Sequence, residues 1–253
     1  MEESRYCRNR IYISKEEQES IADCNIVFGG AGIGSIIAEC ALRVGFENIH
    51  IIDGDKVELS NLNRQNYTTE DIGKYKAEIL SNRLKSINPD ANISYSTDFL
   101  DAGNIKTHLK KSNIAINALD FNSDVPFLFD DFCMKRNIPV LHPYNLGWAG
   151  FVTVVLNETS HLKQLHDGIG RFELKMGKHI TTNLAKSGNR QEWLESVISA
   201  VEEEKEKLSP PQLSIASWIT AGICTDVLCQ LATLKPVKTF PDFYYSSTRL
   251  VSY

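Results

Sequence analysis

Val27-Phe28-Gly29-Gly30-Ala31-Gly32-Ile33-Gly34 is an apolar stretch running into a glycine turn, and Ile49-His50-Ile51-Ile52-Asp53 follows it as a second apolar stretch ending on a carboxylate. A strand, a glycine turn and a helix N-terminus set backbone N–H groups against phosphate, while an acidic residue about twenty positions further on reaches ribose hydroxyls. Read as Gly29-x-Ala31-Gly32-x-Gly34, the turn carries Ala31 where a glycine would permit the closest approach of a phosphate. Taken alone, such a turn fits a nucleotide site or a tight strand-to-helix connection, and it does not separate NAD from ATP.

The residues that follow shift the balance. Ser60-Asn61-Leu62-Asn63-Arg64-Gln65 is a polar block with little to pack, and Lys76 stands at the start of the next helical pattern. Arg64 can grip phosphate oxygens through its planar fork and Lys76 can add a point charge, two cations that a nicotinamide site does not need and a triphosphate does. Ile114-Ala115-Ile116-Asn117-Ala118-Leu119 is a further apolar strand, closed by Asp120. A carboxylate beside phosphates is unfavourable without a divalent cation between them, which makes Asp120 the natural magnesium ligand, the competing role being the cap of the helix after it. Asp53 is the ribose candidate, and Asp55 reads as a solvated turn carboxylate or a cap.

Outward from this centre the pattern alternates. Apolar strands near 25–29, 49–53, 92–96, 113–118 and 138–142 are separated by helical stretches near 33–44, 71–87, 104–111 and 124–136, after a short helix around 14–24. That alternation predicts an α/β fold, a Rossmann-like and mostly parallel sheet flanked by helices, with ligand at the carboxyl ends of the strands where Gly29, Asp53 and Asp120 fall. From about Ala149 the texture changes: 151–156 is β-rich, 158–209 is polar and weakly patterned, and a charged helix runs from Glu192 to Lys207. We read these as a C-terminal β extension, with antiparallel pairing, and a crossover segment or lid. An apolar helix over 212–234 and a closing strand or hairpin over 243–252 complete the chain.

Composition sets the outer bounds. The chain has 253 residues, 42% of them hydrophobic and 23% charged, enough for a large core. Its net charge of −5 argues against a nucleic-acid partner. Six cysteines (Cys7, Cys24, Cys40, Cys133, Cys224, Cys229) contain no CxxC pair, so neither a zinc site nor a disulfide framework is spelled out, and Cys224 and Cys229 read as small buried hydrophobes. The N-terminus lacks a signal-peptide pattern and no run of about 18 apolar residues stands out, so the expectation is a cytoplasmic protein with no membrane partner.

These motifs together resemble the ubiquitin-activating-enzyme-like superfamily of the ThiF/MoeB/HesA type. The resemblance rests on Arg5-Tyr6-Cys7-Arg8-Asn9, the glycine turn, Asp53-x-Asp55-x-Val57-x-x-Ser60-Asn61-Leu62-Asn63-Arg64-Gln65, Ile72-Gly73-Lys74-Tyr75-Lys76 and Asn117-Ala118-Leu119-Asp120. It implies a homodimeric ATP- and magnesium-dependent adenylyltransferase that activates a carboxylate, the C-terminus of a small carrier protein or a peptide, as an acyl-adenylate with release of pyrophosphate. Carried over to this chain, Gly29, Gly32, Gly34 and Asp53 would hold the nucleotide. Asn61, Arg64, Gln65 and Lys76 would surround its phosphates, Asp120 would bind magnesium, and Arg8 would reach into the other subunit's site. It also implies one domain over 1–253: a helical arm (1–24), a nucleotide-binding core (25–142), and the extension, crossover and final helix (143–253).

The departures are informative. Many members carry two CxxC pairs for structural zinc after the sheet, and 154–166 has none, so zinc is not expected. Members that form a thioester carry a cysteine in the crossover, and none lies between Cys133 and Cys224, so adenylation without that thioester is the expectation. His142, in the segment that lines the acyl site in this family, reads as an orienting residue, because a carboxylate is already ionised at neutral pH and needs no general base. Three other readings stay open: a relative that activates a carboxylate on modified tRNA and expels water, an NAD-dependent oxidoreductase, and a non-catalytic subunit that keeps the fold.

Overall fold

The computed structural model describes residues 4–166, 171–204 and 208–249. Seven strands form one sheet: β1 (Asn25–Gly29), β2 (Asn48–Ile52), β3 (Asn92–Ser96), β4 (Ile114–Asn117), β5 (Val140–Asn145), β6 (Ala149–Val155) and β7 (Tyr244–Ser247), in the order β3-β2-β1-β4-β5-β6-β7. The pairs β3-β2, β2-β1, β1-β4 and β4-β5 are parallel, whereas β5-β6 and β6-β7 are antiparallel. Central strands covered on both faces must be apolar on both, and in β1 Ile26, Val27 and Phe28 are all buried.

Side-chain alternation along the strands feeds two cores. Ile26 and Phe28 face a core shared with α1 (Lys15–Asp23), α2 (Gly34–Val44), α3 (Lys76–Ile87) and α8 (Ser214–Ala232). Val27 and Ile52 face the other, shared with α4 (Ile105–Leu109), α5 (Val125–Met134), α6 (Phe172–Lys186) and α7 (Glu192–Glu203). The chain leaves β1 toward β2 on one side and returns to β4 on the other. The order therefore reverses between β1 and β4, and a crevice opens at their carboxyl ends.

Three expectations are corrected. Helix α3 starts at Lys76, not near 71: Gly73 has φ +83°, and its N–H donates to Val57 O at 2.9 Å while Val57 N–H donates to Lys74 O at 2.9 Å, so the stretch before Lys76 pairs with the loop after β2. The polar excursion over 158–209 is not simply loop or lid, because Phe172, Met176, Ile180 and Leu184 recur every fourth residue on α6 and are buried in the core. One apolar residue per turn among polar ones is a narrow stripe that composition averages away. Finally, α8 is long and apolar enough to cross a membrane by length and composition, contrary to the expectation of no such run. Here it lies against α2, β5 and β6, with Ala216, Ala221, Cys224, Val227 and Leu228 buried. The charged helix ends at Glu203, and the last residues of that expectation, 205–207, lie outside the described residues, as do 250–253 of the closing strand.

Gly30 is the tightest point of the turn. Its φ is +97°, and a Cβ there would stand 2.6 Å from the carbonyl oxygen of Ala118. A methyl group on the Cα of Gly34 would meet nothing nearer than Phe28 Cδ1 at 3.5 Å, an ordinary contact. Gly30→Ala is therefore expected to lower unfolding free energy by at least about 2 kcal/mol in urea titration, while Gly34→Ala stays within about 1 kcal/mol of the parent.

Candidate active site

The site is assembled around the glycine turn. Gly30 N–H donates to Ile52 O at 2.9 Å and Ala118 N–H donates to Gly29 O at 2.8 Å, so the turn is stitched to the ends of both neighbouring strands. Asp53, just beyond β2, fixes its far side: Ala31 N–H donates to Asp53 Oδ2 at 2.6 Å and Asp55 N–H donates to Asp53 Oδ1 at 2.8 Å. Burial pushes the Asp53 carboxyl up, against the pull of Lys76 and of the two backbone donors. Each oxygen keeps a further lone pair, so Asp53 can brace the turn and still accept from a hydroxyl.

Lys76 opens α3 directly behind the turn and is buried. Its Nζ lies 3.1 Å from Asp55 Oδ2, so the half-exposed turn carboxylate also carries an ion pair with Lys76. The Tyr67 hydroxyl donates to Ala31 O at 2.7 Å, binding the turn to the segment ahead of α3, and burial holds its phenol well above the usual range.

The polar block lies on the other flank. Asn61 is buried and its Oδ1 accepts from Glu58 N–H at 3.0 Å, so this asparagine shapes the loop. Arg64 donates to Ser60 O and Asn63 Oδ1, each at 2.8 Å, and to Gln212 Oε1 ahead of α8. Burial lowers the Arg64 pKa, and the charge of Asp120 works in the opposite direction. Asp120 itself is exposed, three residues past β4. Gln65 abuts the turn, with Nε2 3.3 Å from where a Gly32 Cβ would stand, and its Oε1 is buried without a partner among the described residues.

A buried carboxylate ties this block to α2. Glu39 accepts from Arg43 Nη2 at 2.8 Å, from Arg83 Nε at 2.6 Å and from Asn66 Nδ2, while Asn66 N–H donates to Ser35 Oγ at 3.0 Å. Burial alone would raise the Glu39 carboxyl, but the three donors outweigh it and hold it below its usual value.

Thus Gly29, Gly32, Gly34, Asp53, Asn61, Arg64, Gln65, Lys76 and Asp120 gather about one crevice, and Arg8 does not join them in its own chain. Arg8 lies in a short 3₁₀ turn whose neighbours Tyr6 and Asn9 bond to Leu42 O and Val44 O, at the far end of α2 from the glycine turn. His142 is buried and paired with Asp130. Sequence reading alone passes over Gly30, Glu39, Gln212 and Asp130. The doubled glycine is a signal for the first, and an acidic pair, Asp130-Asp131, inside the otherwise apolar stretch from Val125 to Met134 is one for the last. Cys224 is fully buried, as its reading as a small hydrophobe expects, while Cys229 is only partly so and burial pushes its thiol up to about 12.

This arrangement is that of a Rossmann-like α/β protein with polar and charged side chains at the carboxyl ends of its strands, and comparison narrows it. The ThiF family model matches residues 6–232, and the chain belongs to the ThiF family. It is 33% identical over 172 residues to the sulfur carrier protein ThiS adenylyltransferase of Bacillus subtilis, covering 65% of this chain and 51% of that protein. It is also 33% identical over 144 residues to the tRNA threonylcarbamoyladenosine dehydratase of Escherichia coli, covering 56% of this chain and 52% of that one. The chain spans about half the length of these relatives. Among solved structures, that of E. coli MccB with ATP shares the fold, with a TM-score of 0.70 at 15% identity over 97% of this chain and 72% of MccB.

Removing the Glu39 carboxylate leaves Arg43 and Arg83 without their acceptor and unties the Asn66 loop. Glu39→Ala should cost about 3 kcal/mol. Because the folded carboxyl sits below the usual value of 4.5, its stabilisation is present above that pH and is lost as pH falls through the lowered value. Denaturant titrations should show the wild-type advantage over Glu39→Gln shrinking below pH 4.5.

Proposed function

We propose that this chain is an ATP-dependent adenylyltransferase that activates the terminal carboxylate of a small carrier protein or peptide as an acyl-adenylate. The observation that carries the reading is the grouping of Lys76, Arg64 and Asp120 around a glycine turn in a ThiF-family chain. The name of the B. subtilis relative supports adenylyl transfer to a sulfur carrier protein.

The residues present suit the nucleotide. A side chain at Gly32 would crowd Gln65, and Gln65 Oε1, unpartnered among the described residues, offers an acceptor beside the turn for a hydroxyl or amino group. Asp53 takes the ribose role and Asn61 frames the phosphate side. In the reaction, a carboxylate oxygen attacks the α-phosphorus, the bond to the bridging oxygen of the β-phosphate breaks, and pyrophosphate departs with that electron pair. No proton moves, since the attacking carboxylate is ionised at neutral pH, and the rate depends on alignment and on countering negative charge. Arg64 and Lys76 supply positive charge once they exchange Gln212 and Asp55 for phosphate oxygens. Magnesium bound with the nucleotide would add to that neutralisation, and Asp120 is the carboxylate that would hold it. One protein carboxylate together with substrate phosphates is a usual magnesium set.

In this reading the chain works as a homodimer, because Arg8 stands at the wrong end of α2 for its own crevice and would serve a second copy's site. The acyl group stays on the adenylate without passing to a crossover cysteine, as none lies between Cys133 and Cys224. A second reading, activation of a carboxylate on modified tRNA, is favoured by the E. coli dehydratase relative, and the net charge of −5 weighs against it.

ATP–pyrophosphate exchange, run with glycine-terminated carrier proteins, peptides and modified tRNA, tests the assignment. Asp120→Ala should lower exchange by about 100-fold or more with the unfolding midpoint unchanged, and Lys76→Ala should lower exchange by a similar factor. Robust exchange in Asp120→Ala, or tight NAD binding without ATP affinity, overturns the reading.

A further inference from the structure

Beneath the loop that carries Asp120 lies a polar cluster inside an apolar core. Asp130, on α5, is 0% exposed, His142, on β5, is 1% exposed, and Asn117, the last residue of β4, is 2% exposed. Asp130 Oδ1 accepts from Asn117 Nδ2 at 2.9 Å and lies 2.9 Å from His142 Nε2. Asn117 Nδ2 also donates to Pro126 O at 2.9 Å, in the first turn of α5, and Asn117 Oδ1 accepts from Leu119 N–H at 3.4 Å. Asn117 and its partners therefore clamp both ends of the segment 118–125: the exit of β4 and the entry of α5. From the same side, the ring of Phe121, the residue after Asp120, packs 6.2 Å from the His142 ring and stacks at 4.2 Å on Phe172 of α6.

Stability does not account for this cluster. Asp130 Oδ2, His142 Nδ1 and the hydroxyl of Tyr144 are buried without partners among the described residues, each a cost of about 1–3 kcal/mol that an apolar side chain of similar volume would avoid. What the cluster does supply is direction: a carboxylate held by two N–H donors from two strands leaves the Asn117 amide one orientation, and that amide holds the loop. His142 donates through Nε2 to Asp130, which fixes its tautomer.

We infer that Asp130 and His142 are positioning residues that act through Asn117 to hold the Asp120 loop in the geometry needed for a magnesium–nucleotide complex. The inference rests on the adenylation reading for its catalytic consequence, but the positioning itself is a property of the loop. Phe121 then links this loop to α6, so that a change at the crossover helix bears on the placement of Asp120.

The test compares Asp130→Ala, which removes the acceptor, Asp130→Asn, whose carbonyl still accepts from both donors, and Asn117→Ala, which cuts the tie and leaves the Asp130–His142 pair intact. By amide hydrogen exchange, residues 118–124 should exchange at least about tenfold faster in Asp130→Ala and Asn117→Ala, with the amides of β1 unchanged and Asp130→Asn within about threefold of the parent. The magnesium concentration for half-maximal pyrophosphate exchange should rise about tenfold in the same two variants, while half-saturating ATP at high magnesium stays within about twofold. Unaltered exchange over 118–124, or an equal rise throughout the chain, overturns the inference, as does an unchanged magnesium requirement beside a lowered unfolding midpoint. If Asp130→Ala does not fold, Asn117→Ala decides. If the parent shows no pyrophosphate exchange with any substrate, the adenylation reading falls and hydrogen exchange still decides the positioning role.

Discussion

The Asp53 carboxylate is the joint on which the crevice depends. One oxygen holds the glycine turn through Ala31 N–H and the other holds the loop after β2 through Asp55 N–H. Two parallel strands end side by side, and nothing in sheet pairing itself dictates how the chain leaves them. A carboxylate accepting from both exits locks their relative path, and burial makes those bonds stronger than they would be in water. Lys76 and Tyr67 complete the arrangement by attaching the start of α3 to the same two exits.

Around this joint the cations are held ready rather than free. Lys76 rests on Asp55, and Arg64 rests on Gln212 and on two loop oxygens. In the proposed reaction both would exchange these partners for phosphate on a backbone held in place, because Glu39 anchors the Asn66 end of the polar block to α2 and α3. A buried carboxylate with three donors makes a firm anchor, since breaking any one of its bonds exposes the others to an unpaired charge.

Legibility follows the range of the interactions concerned. The five parallel strands and α2 are readable because apolar period and a glycine turn are local signals, and Gly29, Gly32, Asp53 and Lys76 lie where those signals put them. The start of α3 differs from its expectation by about one turn, since Gly73 and its pairing with Val57 involve a strand-like bridge between segments distant in pattern. Helix α6 is hidden in a polar composition although Phe172, Met176, Ile180 and Leu184 are evenly spaced. Of the site, the identity of Asp55 as the Lys76 partner, of Gln212 as the Arg64 partner and of Glu39 as the anchor is not legible, because each is a contact between elements that only packing brings together. Arg8 shows the converse: its neighbours are secured at the opposite end of α2, a location no motif discloses.

Side-chain type and spacing within a few residues are enough to set the alternation of strands and helices, the turn, and which charged residues stand at the ends of strands. Tertiary structure alone decided which of those charges are buried, which are paired and which oxygen of Asp53 holds which backbone N–H. It also decided that Asp130 and His142 meet under the Asp120 loop. Hydrogen-bond direction and desolvation are properties of three-dimensional neighbours, and residues 12 or 148 positions apart become neighbours only when the sheet and its two helical layers have closed.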